Sequence, residues 1–398
     1  MKYDFSTILD RRGRDSLAAD KIPFDGLSVG EGFSPIPMWI ADMSFPAAPP
    51  VMEAIYRRLE MPNFGYFPLP KEYFDCIISW QEKRNGVSGL LPEHIGYENG
   101  VLGGVSSVLQ AFTAPGEKVL VHSPTYVGFT HTFEDTGRVP VHSALKRDED
   151  GIWRMDYEDM DRKIKEHGIH MAIFCSPHNP CGRVWERREI ERAMEVYAAN
   201  DCLVISDEIW SDIIMPGYKH IPTQSISADA RERTFAFYAP SKTFSLAGLV
   251  GSYHIIYNPY LRDRVLRQSR LSHYNDCNVL SVHALMGAFS PAGEQWTEEM
   301  ISVVESNLDY ACRFIWENFP GVRLMRPQGT YMLFLDCGDW CRTHGISIHE
   351  LQARGISCGV IWQNGEAFIY PDSIRMNFAL PHALVLEAMD RLKKYVFI

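Results

Sequence analysis

Short apolar runs of strand length recur through the middle of the chain: residues 118–122 (KVLVH), 171–175 (MAIFC), 202–206 (CLVIS), 234–238 (TFAFY) and 251–256 (GSYHII). Between several of them lie stretches of helical periodicity. In residues 187–200, Ile190, Ala193, Met194 and Tyr197 fall on one helical face. Strands apolar on both faces and alternating with helices predict an α/β fold, with a mostly parallel central sheet covered by helices on both sides.

The last hundred or so residues read differently. A long helical stretch over 296–318 is followed by a strand over 331–335, a helix near 348–354 and a closing helix over 381–395. Together with the N-terminal arm these predict a second, smaller α/β domain. The expected division is an arm (1–50) joining the small domain, a large domain (51–285) and the small C-terminal domain (286–398). No internal repeat, low-complexity tract or Gly/Ser linker separates them.

Composition narrows the function. A chain of 398 residues, 46% hydrophobic and 22% charged, has the make-up of a globular protein. Its net charge of -11 argues against nucleic acid or anionic membrane as partner, because polyanions are held by clustered Lys and Arg. The basic runs at 11–14 and 187–188 are short, have acids beside them, and read as solvated faces. No stretch is long and apolar enough to span a bilayer and the N-terminus has no apolar leader run, so a cytoplasmic location is expected. The nine cysteines form no CxxC pair; several, such as Cys175, Cys202 and Cys358, sit in apolar runs and are expected to be reduced and mostly buried. Dinucleotide, P-loop and zinc-protease signatures are missing. His122, His131, His178 and His254 match no ligand spacing, so ordinary hydrogen-bonded histidines and no metal are expected.

In an open parallel sheet, ligands bind beyond the carboxyl ends of the strands, where loops converge and helix N-termini point inward. Four consecutive strand exits carry candidate chemistry: Tyr126 after the first, Asn179 after the second, Asp207 and Glu208 after the third, Ser241 and Lys242 after the fourth. Singly, these residues read as a packed aromatic, a turn, a helix cap and surface groups. At equivalent sheet positions, one ligand could touch them all. Pyridoxal 5'-phosphate (PLP) asks for such a set: a lysine for its aldehyde, a carboxylate for its ring nitrogen, a donor for its phenolate oxygen and an aromatic face for its ring. Its phosphate asks for backbone N–H groups at a helix start. Residues 99–104 (NGVLGG), leading into a helical run over 105–112, could supply them.

The motifs SPHNPCG (176–182), SDEIW (206–210) and SKTFSLAG (241–248), with Arg375 in SIRMN (373–377), resemble the fold-type I PLP enzymes of the class I/II aminotransferase superfamily over essentially the whole chain. The resemblance implies that Lys242 is the Schiff-base lysine and the base that moves the α-proton. It implies that Asp207 pairs with the pyridinium, Asn179 donates to the phenolate oxygen and Tyr126 stacks on the ring. Gly100, Val101, Leu102 and Ser241 would hold the phosphate, Trp210 would lie at the cofactor, and Arg375 would clamp the carboxylate of a small amino-acid substrate. Tyr66 matches a tyrosine that reaches the neighbouring subunit's phosphate, which implies a homodimer with shared active sites.

Residues 37–46 (PMWIADMSFP) resemble the MalY/PatB group of cystathionine β-lyase-like C-S lyases, as do residues 3–5 and 10–13. The chain departs from that group at Ser44 (usually Asp), Trp210 (usually His) and Ala239 (often Ser). Val250 replaces the phosphate arginine of many aminotransferases. The function so implied is β-elimination from an S-substituted cysteine to a thiol, pyruvate and ammonia. The alternatives are an aminotransferase, which would use the same residues, and a PLP-binding regulator acting through a protein partner.

Overall fold

The computed structural model describes all 398 residues. Its centre is a seven-stranded sheet: β1 (Ile95–Asn99), β2 (Lys118–Ser123), β3 (Val139–Ala144), β4 (Met171–Cys175), β5 (Leu203–Asp207), β6 (Thr234–Tyr238) and β7 (Gly251–Ile255). The spatial order is β1-β7-β6-β5-β4-β2-β3, and only β7 runs antiparallel to its neighbours. The alternation of side chains along each strand divides the core. Met171, Ile173 and Cys175 of β4 pack with Val101, Val105 and Leu109 of the helix Val101–Phe112. Ala172 and Phe174 point the other way, toward Ile190, Met194 and Tyr197 of the helix Arg187–Ala199. The helical face read from the sequence is thus the buried one.

Two strands of this sheet leave no apolar run. β1 carries the buried Glu98, paired with His254 Nδ1 at 2.7 Å, and β3 is an edge strand whose residues are mostly half-exposed or exposed. The periodicity criterion looks for continuous apolar residues, and neither strand has them.

In the C-terminal part, β8 (Arg323–Leu324), β9 (Met332–Asp336), β10 (Gln363–Asn364) and β11 (Ser373–Asn377) form an antiparallel sheet in the order β8-β9-β11-β10. The long helix runs Pro291–Asn318, starting earlier than the hydrophobic pattern predicts. Ser290 Oγ accepts the Gly293 N–H at 3.2 Å and Pro291 occupies the first helical position, so capping chemistry sets this end. The N-terminal arm returns to this region. Ile36 pairs in parallel with Val360, and Phe5, Trp296 and Phe397 belong to one continuous apolar core. No helix is long and apolar enough to cross a membrane. All nine cysteines are free and seven are buried; burial pushes every thiol up, which leaves them poor nucleophiles.

Candidate active site

The carboxyl ends of β2, β4, β5 and β6 converge on a cavity of about 230 Å³. Its walls include Gly100, Val101 and Leu102, Tyr126, Asn179, Asp207, Trp210, Ser241 and Lys242. Four strand exits far apart in sequence therefore do meet.

One end is the start of the helix Val101–Phe112. Gly100 caps it at φ +84°, a left-handed conformation that suits glycine. No side chain caps the helix and its first turn holds no acid, so its leading N–H groups stay free for an anion. Gly103 and Gly104 serve packing instead. A Cβ at Gly104 would lie 2.2 Å from the Phe237 ring, and one at Gly103 would lie 1.8 Å from the Tyr274 hydroxyl. Ser241 joins this wall, whereas Ala239 and Val250 make it apolar.

Asp207, 3% exposed, ends β5. Its Oδ1 accepts the Ile209 N–H at 3.1 Å, and no cationic group of the chain forms a salt bridge with it. Burial pushes its pKa up to about 6, against the stabilising N–H and the charge of Lys242. A carboxylate so placed is short of one partner, a cationic N–H donor arriving from the cavity. Its neighbour Glu208 faces a different environment, bonded to His220 Nε2 at 2.8 Å and to the Tyr238 hydroxyl at 2.6 Å.

Lys242 Nζ donates to the Ala41 carbonyl at 3.2 Å and lies 5.9 Å from the centre of the Trp210 ring. Burial, then the charge of Arg375, pushes its pKa down to about 8. An amine this depressed is partly neutral, hence nucleophilic and basic, near neutral pH. Trp210 is 1% exposed and its ring meets the edge of Tyr331 at 4.8 Å; its indole N–H makes no hydrogen bond within the chain. Tyr126 packs its ring against Phe129 at 5.4 Å and presents its remaining surface to the cavity.

Arg375, on β11, does not line the cavity itself but stands behind Asn179. Its Nη1 donates to Asn179 Oδ1 at 3.1 Å and its Nη2 to the Trp39 carbonyl at 3.0 Å, while Nε is buried without a partner. A guanidinium can only donate, so the carbonyl end of Asn179 must face Arg375. The amide NH2 is then left for the cavity. Phe368, 4.6 Å from the guanidinium carbon, supports its plane.

The strand-exit pattern does not foreshadow the strap that crosses this site. Asn377 Nδ2 donates to the carbonyls of Ile40 and Asp42, at 3.0 and 2.7 Å, while Asp42 accepts Ser245 Oγ at 2.9 Å and pairs with Arg11. The only sequence signal was that Asn377 shares a strand face with Arg375, two residues on. Ser44 lies off the cavity, so that departure does not alter its wall. Tyr66 is fully exposed and does not line this cavity.

One expectation about histidines needs correction. His254 is hydrogen-bonded to Glu98, but neither ring nitrogen of His122 and not Nδ1 of His178 finds a partner. Burial pushes their pKa values down, to about 4 and about 3, so both rings are neutral and the cost of an unpaired nitrogen is that of a neutral group. Nowhere do three or more His, Cys, Asp or Glu side chains gather as a metal site would require.

Residues 41–392 match the family model for aminotransferase class I and II. The chain belongs to that family. Among curated members it is 33% identical to cystathionine beta-lyase PatB of Bacillus subtilis, over 96% of this chain and 97% of that one. Among solved structures it superposes on cystalysin from Treponema denticola, which contains a pyridoxal 5'-phosphate cofactor, with a TM-score of 0.92 at 28% identity, covering 99% and 98% of the two chains. The PLP-bound C-S lyase from Staphylococcus hominis gives a TM-score of 0.88 at 29% identity, with 98% of each chain covered. Family membership agrees with the donor set. A partly neutral lysine, a buried acid lacking a cation, a free amide NH2 and an open helix N-terminus fit a phosphorylated pyridine aldehyde.

Proposed function

We propose that this chain is a PLP-dependent carbon-sulfur lyase acting on an S-substituted, cystathionine-like cysteine. The observation that carries the reading is the identity with cystathionine beta-lyase PatB along nearly the full length of both chains. The balanced reaction takes the amino acid and one water to a thiol, pyruvate and ammonia.

Bound PLP supplies an electron sink for the pair left at the substrate α-carbon. Lys242 would carry the cofactor through Nζ and, when free, would take the substrate α-proton on that atom. Its depressed pKa suits it to that task. Asp207 would keep the ring nitrogen protonated, Asn179 Nδ2 would donate to the phenolate oxygen, and the Trp210 indole N–H would be a second donor there. Tyr126 would stack on the ring, and the N–H groups after Gly100, with Ser241, would hold the phosphate. Arg375 retains three unused N–H donors for the substrate carboxylate. Holding the carboxylate would fix the orientation of the substrate α-carbon, and with it which of its bonds is broken.

The proposed unit is a homodimer. Tyr56, Met61, Phe64 and Tyr66 are all more than half exposed, which a subunit interface would cover, and Tyr66 would reach the partner's phosphate. The division into an arm (1–50), a large domain (51–285) and a small domain (286–398) is supported by the pairing of Ile36 with Val360. Nine free thiols support a reducing, cytoplasmic compartment.

The test is to record the visible spectrum of the purified protein, add L-cystathionine, and assay pyruvate and free thiol. A band of lysine-bound cofactor that is lost in Lys242→Ala, with pyruvate and thiol formed together, is the expected result. Accumulation of pyridoxamine phosphate without pyruvate would make the protein an aminotransferase, the other activity that its family name covers.

A further inference from the structure

A second cavity, of about 430 Å³, lies on a different part of the large sheet and shares no wall residue with the first. Its size falls within the ~300–1,000 Å³ usual for small-molecule sites. Its walls come from the turn after the helix Lys71–Asn85, the segment 219–225 and the ends of β6 and β7. In a chain of net charge -11, no aspartate or glutamate lines it, while Arg187, Lys219 and Arg231 do.

These cations are poorly neutralised. Lys219 and Arg231 make no salt bridge, and Arg187 keeps only a 3.7 Å contact with Glu191. Arg231 is held by stacking on the Tyr257 ring, 4.9 Å away, which fixes its guanidinium without satisfying its charge. Against the same cavity lies His220, 3% exposed. Its Nε2 is bonded to Glu208, and its buried Nδ1 has no partner. Nε2 faces a carboxylate and so carries the ring proton, which leaves Nδ1 of the neutral ring an acceptor for a ligand hydroxyl or N–H, while three cations with a single 3.7 Å carboxylate contact among them, and no acid on the wall, leave the site short of an anion.

We infer that this cavity is a second binding site, for a small phosphate- or carboxylate-bearing molecule. Its floor reaches toward the cofactor cleft, since Glu208, the partner of His220, follows Asp207 directly. The inference stands on the cavity alone and does not depend on the lyase reading.

The experiment uses the PLP-loaded enzyme, so that the cofactor's own phosphate position is filled. Its thermal midpoint is followed against inorganic phosphate, and separately succinate, with sodium chloride at matched ionic strength as reference. The expected result is a saturable rise of roughly 2–4 °C at a hundredfold excess over Kd. The rise should vanish in the double variant Lys219→Gln/Arg231→Gln while kcat/KM for the thiol-releasing substrate stays within twofold. A rise with phosphate alone assigns a phosphate ester; a rise with succinate alone assigns a dicarboxylate. If the double variant does not fold, Ser225→Glu, which sets an acid on the exposed wall, should abolish the rise. An equal rise in wild type and variant, which would place the anion elsewhere, overturns the inference. So does the absence of any saturable rise with both anions.

Discussion

Arg375 Nη1 donates to Oδ1 of Asn179 at 3.1 Å, across 196 residues of chain. This bond ties β11 of the C-terminal sheet to the exit loop of β4 and sets which end of the amide faces the cavity. The same guanidinium holds the Trp39 carbonyl at 3.0 Å, so one side chain joins the arm and both sheets.

Arg375→Ala should therefore damage two functions at once. If Arg375 clamps the substrate carboxylate as proposed, its loss costs about 3 kcal/mol, or roughly 100-fold in kcat/KM. The amide of Asn179 also loses its orienting donor, so the visible band of the bound cofactor should shift as well. Steady-state kinetics with the spectrum of the same preparation check both. A variant with weak KM but an unchanged spectrum would mean that Arg375 does not orient Asn179.

The stability of the cofactor-free protein should carry the signature of Asp207. Its carboxyl ionises at the ordinary 3.8 when unfolded and at about 6 when folded, because burial disfavours the charge. Between those values the folded state holds a proton that the unfolded chain has released. Its contribution is thus fully present below pH 3.8 and lost as pH rises through about 6, on the order of 3 kcal/mol in all. Denaturant titrations of the cofactor-free wild type and Asp207→Asn, at pH 4 and pH 7, should show the wild type losing this increment relative to the variant. Parallel curves would refute it.

Cofactor uptake should follow the free amine of Lys242. With its pKa down at about 8, the rate at which the stripped protein regains its visible band should climb from pH 6 and level off just above 8. Stopped-flow absorbance gives the profile directly. A rate still rising at pH 10 would mean an ordinary, solvated lysine.

Trp210→Phe removes an indole N–H that finds no acceptor in the chain while keeping an aromatic ring against Tyr331. If the indole donates to the phenolate oxygen, its loss destabilises the phenolate and should raise the pKa at which the visible band titrates. Trp210→Tyr, whose hydroxyl can donate, should bring that pKa back. A titration unmoved in both variants would leave Trp210 a packing residue only.

The parallel sheet and its helices were legible because periodicity is local: residues 171–175 are an unbroken apolar run, 202–206 and 234–238 are apolar but for a terminal Ser or Thr, and residues 187–199 repeat with a helical period. Asn179, Asp207 and Lys242 were legible because the topology of an α/β sheet sends every strand exit to one edge. β1 and β3 were not, since a buried Glu98 paired to His254 and a half-exposed edge both erase the apolar signal. Nor was the strap from Trp39 to Asp42, held over Lys242 by Arg375 and Asn377 more than 330 residues away. The sequence by itself determined which residue types stand at the strand exits, and hence the class of chemistry. Only the tertiary structure decided the depressed pKa of Lys242, the unpaired charge of Asp207 and the basic cavity beside His220, because each depends on what distant segments exclude from water or bring within a few ångströms.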